Sequence, residues 1–151
     1  MGRFLNRDNQ KYAKFSTTKY FVDKTGMINK LLEKDDDEKF LCCSRPRRFG
    51  KSITAHMLVA YFSRGADSSS LFAPLKCVKD RAFLANLNQY DTIFMDIQAQ
   101  FVKAKDQNAN PNKMLQENVV KELREAYPEL VNANDNLAEA RAVGHAARGR
   151  A

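Results

Sequence analysis

One nine-residue stretch constrains this chain more than any other: Ser44-Arg45-Pro46-Arg47-Arg48-Phe49-Gly50-Lys51-Ser52. An unbroken apolar run, Phe40-Leu41-Cys42-Cys43, precedes it. Ile53, Met57, Leu58, Tyr61 and Phe62 follow at helical spacing, with Gly65 as a stop. A short apolar run has the composition of a strand buried on both faces. The stretch therefore predicts a strand, a basic loop and a helix in direct succession. The first turn of a helix has backbone N–H groups without intrahelical partners, and its dipole favours negative charge. A loop curling over that end turns further N–H groups inward and can cradle phosphate oxygens. Gly50 lets the backbone approach closely. Lys51 supplies a point charge for the β and γ phosphates, and Ser52 a hydroxyl for Mg²⁺. The common form of such a loop begins with Gly, separated by four residues from Gly-Lys-Ser. Here that place holds Arg45, stiffened by Pro46.

The same residues have a plainer reading. Arg45, Arg47, Arg48 and Lys51 form a solvated basic loop, one able to touch nucleic-acid phosphates. Phe49 either stacks on a base or packs the loop inward. The charge balance, 25 Lys+Arg against 18 Asp+Glu for a net +7, suits an anionic partner without choosing one.

Other segments extend the alternation of strand and helix. Tyr20-Phe21-Val22 reads as a short strand, with Asp23 capping a helix that carries Ile28, Leu31 and Leu32. Thr92-Ile93-Phe94-Met95-Asp96-Ile97 reads as a second buried strand, and Asp80 as the cap of a short helix with Phe83, Leu84 and Leu87. Residues 103–112 read as a polar loop. Asn110-Pro111 then opens a helix bearing Leu115, Val119, Val120, Leu123 and Tyr127, ended by Pro128. The pattern predicts an α/β fold with a mainly parallel sheet flanked by helices. Lys34-Asp35-Asp36-Asp37-Glu38-Lys39 is a solvated charge cluster. Leu137–Ala151 has six Ala, three Arg and two Gly, with little apolar surface to dock, and reads as a frayed or disordered tail. The main body is thus expected over residues 1–136 and the tail over 137–151.

Cysteine usage and apolar runs narrow the class. Cys42, Cys43 and Cys77 are odd in number and two are adjacent, so no disulfide framework is expected. Cys42 and Cys43 read as small core residues. With His56 and His145 far apart, no zinc site is expected. No apolar run approaches the roughly 18 residues of a membrane-spanning helix, and the first residues lack a signal-peptide pattern. These features point to a reducing cytoplasm and to no membrane partner.

Val22-Asp23-Lys24-Thr25 followed by Arg45-Pro46-Arg47-Arg48-Phe49-Gly50-Lys51-Ser52 resembles the bacterial AAA-ATPase-like domain family, in which the two elements occur in this order. Leu71-Phe72 and Asn88 to Asp96 resemble later segments of the family. The resemblance makes Arg45 a normal feature of the loop. It implies a P-loop NTPase core, of which this chain is the N-terminal part, binding ATP with Mg²⁺. Arg45, Pro46, Arg47, Arg48, Phe49, Gly50, Lys51, Ser52 and Ile53 then bind nucleotide, and Ser52 touches the metal. Asp23, Lys24 and Thr25 match a signature to which the sequence assigns no physical role. Family members are several times longer, with an acidic Walker B strand and often a nuclease domain further on. This chain shows neither, as a truncated or frame-shifted gene would not. Asp96 is followed by Ile97-Gln98 and reads as a structural polar group, so no catalytic residue is assigned. Binding is better supported than turnover.

Overall fold

A computed structural model describes residues 2–34, 40–79 and 81–128. They fall in two units, Met1–Met95 and Asp96–Ala151. The first holds α1 (Gln10–Ser16), α2 (Gly26–Leu32), α3 (Lys51–Phe62), α4 (Ser69–Phe72), a 3₁₀ turn (Lys76–Lys79) and α5 (Arg81–Asn86). The second holds α6 (Ile97–Asp106) and α7 (Pro111–Ala126). Among the described residues no helix is long and apolar enough to cross a membrane.

The expected parallel sheet is not there. Extended pairing among the described residues is confined to two isolated bridges, Leu5 with Ile93 (antiparallel) and Ser63 with Tyr90 (parallel). Phe40 is 93% exposed, Leu41 is half exposed, and Cys42 and Cys43 are exposed rather than in the core. Tyr20 and Val22 are also exposed, and the Tyr20-Phe21-Val22 segment is not a strand. The physical reason is that a strand exists only through its pairing. Each backbone donor and acceptor in it needs a neighbour, and apolar composition alone cannot say whether one is at hand. Residues 92–94 of the second expected strand pair instead with the amino-terminal residues. Asn6 N–H donates to Thr92 O at 2.8 Å and Phe94 N–H to Phe4 O at 2.9 Å. Ile97, read as strand, starts α6, which runs into the segment read as a loop.

The core of the first unit is aromatic and is built round α3. Met57, Ala60 and Tyr61 of that helix meet Tyr12, Ile28, Phe72, Cys77 and Phe83. Tyr61 lies edge-on to Phe72 and tilted against Phe83, with centroids 5.7 and 4.5 Å apart, and Tyr12 stacks on Phe72 at 5.4 Å. Such geometries suit the ring quadrupole, and burying each large side chain stabilises by about 2–3 kcal/mol. The Tyr61 hydroxyl donates to Phe83 O at 2.5 Å.

The far end of α3 is satisfied from a distant segment. The last carbonyls of a helix lack partners within it. Asn88 Nδ2 donates to Ala60 O (2.8 Å), Tyr61 O (3.2 Å) and Ser63 O (3.0 Å). Asn88 N–H also donates to Tyr61 O, and Tyr90 N–H to Phe62 O. The Asn88 Oδ1 accepts from Ser68 N–H at 3.1 Å. The helix stops at Phe62, three residues before the glycine that the sequence marks as its end.

In the second unit, α7 starts as its sequence predicts. Asn110 Oδ1 accepts from Asn112 and Lys113 N–H at 3.0 and 3.1 Å, with Pro111 in the first turn. The structure of residues 35–39, Asp80 and the 137–151 tail lies outside the described residues.

One core group lacks a partner. The Tyr12 hydroxyl is buried with no hydrogen bond among the described residues. Burial, reinforced by the Asp23 carboxylate and then by Cys77, pushes its phenol up to about 12. An unbonded buried hydroxyl costs free energy that a phenyl ring does not. Tyr12→Phe is therefore expected to leave stability equal or raise it by up to about 1 kcal/mol at pH 7, read from urea unfolding. The unfolded phenol titrates near 10, below the folded value, so ionisation favours the unfolded chain as pH rises from 10 towards 12. Tyr12→Phe should remove that part of the alkaline loss.

Candidate functional site

The basic loop meets α3 through two residues in the left-handed region, Arg48 (φ +67°) and Gly50 (φ +76°). Such backbone is easy for glycine and uncommon for other residues. Gly50 stands at the N-cap position, and its carbonyl accepts from Thr54 N–H at 2.9 Å and Thr54 Oγ1 at 3.1 Å. Lys51 is the first residue of the helix, Ser52 the second and Ile53 the third. Thus the strand of the predicted strand–loop–helix is missing, while the loop–helix junction is present.

Arg45, Pro46, Arg47, Arg48, Phe49, Lys51 and Ser52 are exposed, and Gly50 and Ile53 are half-buried. Phe49 is 62% exposed, so it does not pack the loop inward. The Lys51 ammonium folds back over its own loop, donating to Arg45 O at 2.5 Å and Pro46 O at 2.9 Å. Four cationic residues and the first turn of α3 therefore share one short, exposed segment. That arrangement attracts and orients anionic oxygen.

The Asp23-Lys24-Thr25 element joins the loop. Lys24 Nζ donates to Phe49 O at 2.9 Å. Asp23 is not the cap of α2. That position belongs to Thr25, whose N–H and hydroxyl both donate to Asp23 Oδ1, at 2.9 and 2.6 Å. Thr25 is 1% exposed, which fixes this turn in the core. The thiol of Cys77, buried in the same core, is pushed up, chiefly by burial. Sequence spacing cannot reveal a contact across 25 positions. The occurrence of the two motif elements in one order along the sequence was the signal, and this hydrogen bond joins them.

Two of the cavities formed by the described residues lie within the first unit. One of about 290 Å³ adjoins the loop–helix junction, lined by Met27, Leu31, Leu41, Lys51, Thr54 and Leu58 among others. The other, about 450 Å³, is lined by residues from Ala66 to Asn88 and shares none with the loop. His56 is on α3 with its ring 5.0 Å from that of Phe94. Asp96 ends no strand. Its Oδ1 accepts from Ala99 N–H at 3.0 Å as the cap of α6, the structural role its sequence context suggests. Among the described residues no group of three or more His, Cys, Asp or Glu could hold a metal ion.

A family model described as "AAA-ATPase_like: Predicted AAA-ATPase" matches residues 9–147, a span that includes both the loop and Asp23-Lys24-Thr25. No curated protein and no solved structure matches the chain.

Proposed function

We propose, since the chain belongs to the AAA-ATPase-like family, that it binds the phosphates of ATP through residues 45–53. One observation carries the reading. Gly50, in the left-handed conformation, delivers Lys51 as the first residue of α3, directly after a loop whose Arg45, Arg47 and Arg48 are exposed. Backbone N–H groups, an ammonium and a hydroxyl then face one anionic group. Arg45, Pro46, Arg47, Arg48 and Phe49 form the approach, and Gly50, Lys51, Ser52 and Ile53 the helix start. Lys51 has carbonyl partners on its own loop. It can exchange these for phosphate oxygen, a stronger acceptor because it is charged.

The donor set fits phosphate. For Mg²⁺ it offers the exposed Ser52 hydroxyl. The ion keeps most of its ligands as water and phosphate oxygen, so it arrives with the nucleotide. Asp96 is occupied as a helix cap, and the reading stops at binding.

Calorimetric titration with Mg²⁺-ATP tests it. Lys51→Ala is expected to bind at least about tenfold more weakly than wild type, the loss of one charge-assisted bond. Equal affinities would refute the site. The exposure of Phe49 among cations supports a second reading, binding of single-stranded nucleic acid by stacking. Under that reading an oligonucleotide binds with a steep salt dependence that shallows in Arg47→Ala/Arg48→Ala, and ATP does not compete.

A further inference from the structure

We infer that Lys24 is a positioning residue for the phosphate-binding loop, a role that rests on the nucleotide reading above. Its ammonium reaches Phe49 O at 2.9 Å from 25 residues upstream. A trans peptide is planar, so its C=O and N–H point in opposite directions, and no peptide bond among the described residues is cis. Holding the Phe49 carbonyl towards Lys24 therefore turns the Gly50 N–H away from it. The next carbonyl, Gly50 O, is held by Thr54 N–H and Thr54 Oγ1. Two successive peptide planes at the loop–helix junction are thus fixed, one by a distant side chain and one by the helix itself. An anion site made of backbone amides depends on the direction of each amide as well as its presence.

Lys24 is itself well placed to act as a fixed strut. The residue before it, Asp23, binds both the N–H and the hydroxyl of the residue after it, and that residue, Thr25, is buried. The loop leaves room for the ammonium by having no side chain at residue 50. A Cβ there would stand 2.8 Å from Lys24 Nζ. One glycine therefore serves both the left-handed turn and the approach of the lysine.

Titration of Mg²⁺-ATP and Mg²⁺-ADP into wild type, Lys24→Met, Lys24→Arg and Lys51→Ala tests the role, with hydrogen exchange of residues 47–53 measured without nucleotide. Lys24→Met keeps the aliphatic stem, and unchanged far-UV circular dichroism checks that it folds. It is expected to weaken ATP and ADP by the same factor, about fivefold to tenfold for one charge-assisted bond. Exchange in the loop should quicken, and Lys24→Arg should restore most of the affinity. Wild-type affinity in Lys24→Met, while Lys51→Ala loses binding, overturns the role of Lys24 and leaves the nucleotide reading intact. A loss much larger for ATP than for ADP also overturns it, because it means direct contact with the γ phosphate. If wild type and Lys51→Ala are alike in binding neither nucleotide, the nucleotide reading falls. Unchanged loop exchange in Lys24→Met would then overturn the strut as well, and quickened exchange would uphold it.

Discussion

Asn88→Ala is expected to destabilise the first unit by about 3 kcal/mol, with a fall in melting temperature of roughly 15 °C. Three carbonyls at the end of α3, those of Ala60, Tyr61 and Ser63, share its amide donor, and Ser68 N–H donates to its oxygen. The Ala60 carbonyl keeps a bond from Ser68 Oγ at 2.7 Å and the Tyr61 carbonyl one from the Asn88 backbone N–H at 2.7 Å, so the damage falls mainly on Ser63 O and on Ser68 N–H. Asn88 also has φ +57°, a conformation that Asn tolerates and Ala does not. The two costs can be separated. Asn88→Gly restores the backbone freedom and should recover about 1 kcal/mol. Asn88→Asp keeps the shape but loses the donor, and should be as damaging as Ala. Urea unfolding of the three variants measures this. A loss under 1 kcal/mol in Asn88→Ala would show that water replaces the side chain at no cost.

Gly50→Ala is expected to damage binding and stability together. An L-residue in the left-handed region costs about 1–2 kcal/mol, and the new methyl would sit 2.8 Å from Lys24 Nζ. That atom ends a flexible side chain, so the clash is relieved by Lys24 leaving Phe49 O. Affinity for Mg²⁺-ATP should fall at least about tenfold, the effect of losing the strut plus that of a distorted helix start. The effects of Gly50→Ala and Lys24→Met should then not add, because the first variant already removes the contact that the second deletes. Full additivity in the double variant would show that the two residues act independently.

The sequence made the loop and its helix legible because both are local. Left-handed glycine before a helix, Lys51 at its first position and Asn110-Pro111 opening α7 all follow from chemistry within four residues. The sheet was misread because strand character belongs to a pair of segments. Phe40-Leu41-Cys42-Cys43 has the composition of a buried strand, and its exposure follows from neighbours that composition does not name. Residues 92–94 found a partner in residues 4–6, 86 positions away for Asn6 and Thr92. Lys24 was visible as part of a motif but silent about its contact. Asp96 reads in the sequence as a structural polar group at the end of a strand; it is structural, but as the cap of α6, which the strand reading hid.

Cys42 and Cys43 are exposed, whereas Cys77 is buried with its thiol pushed up. The chain therefore arrives with built-in attachment points for a label, two residues ahead of Arg45. A thiol-reactive dye supplied in limited amount would decorate the approach to the loop and spare the interior. Fluorescence from that one location could then follow anion binding in the unaltered sequence, with no cysteine engineered in and none removed.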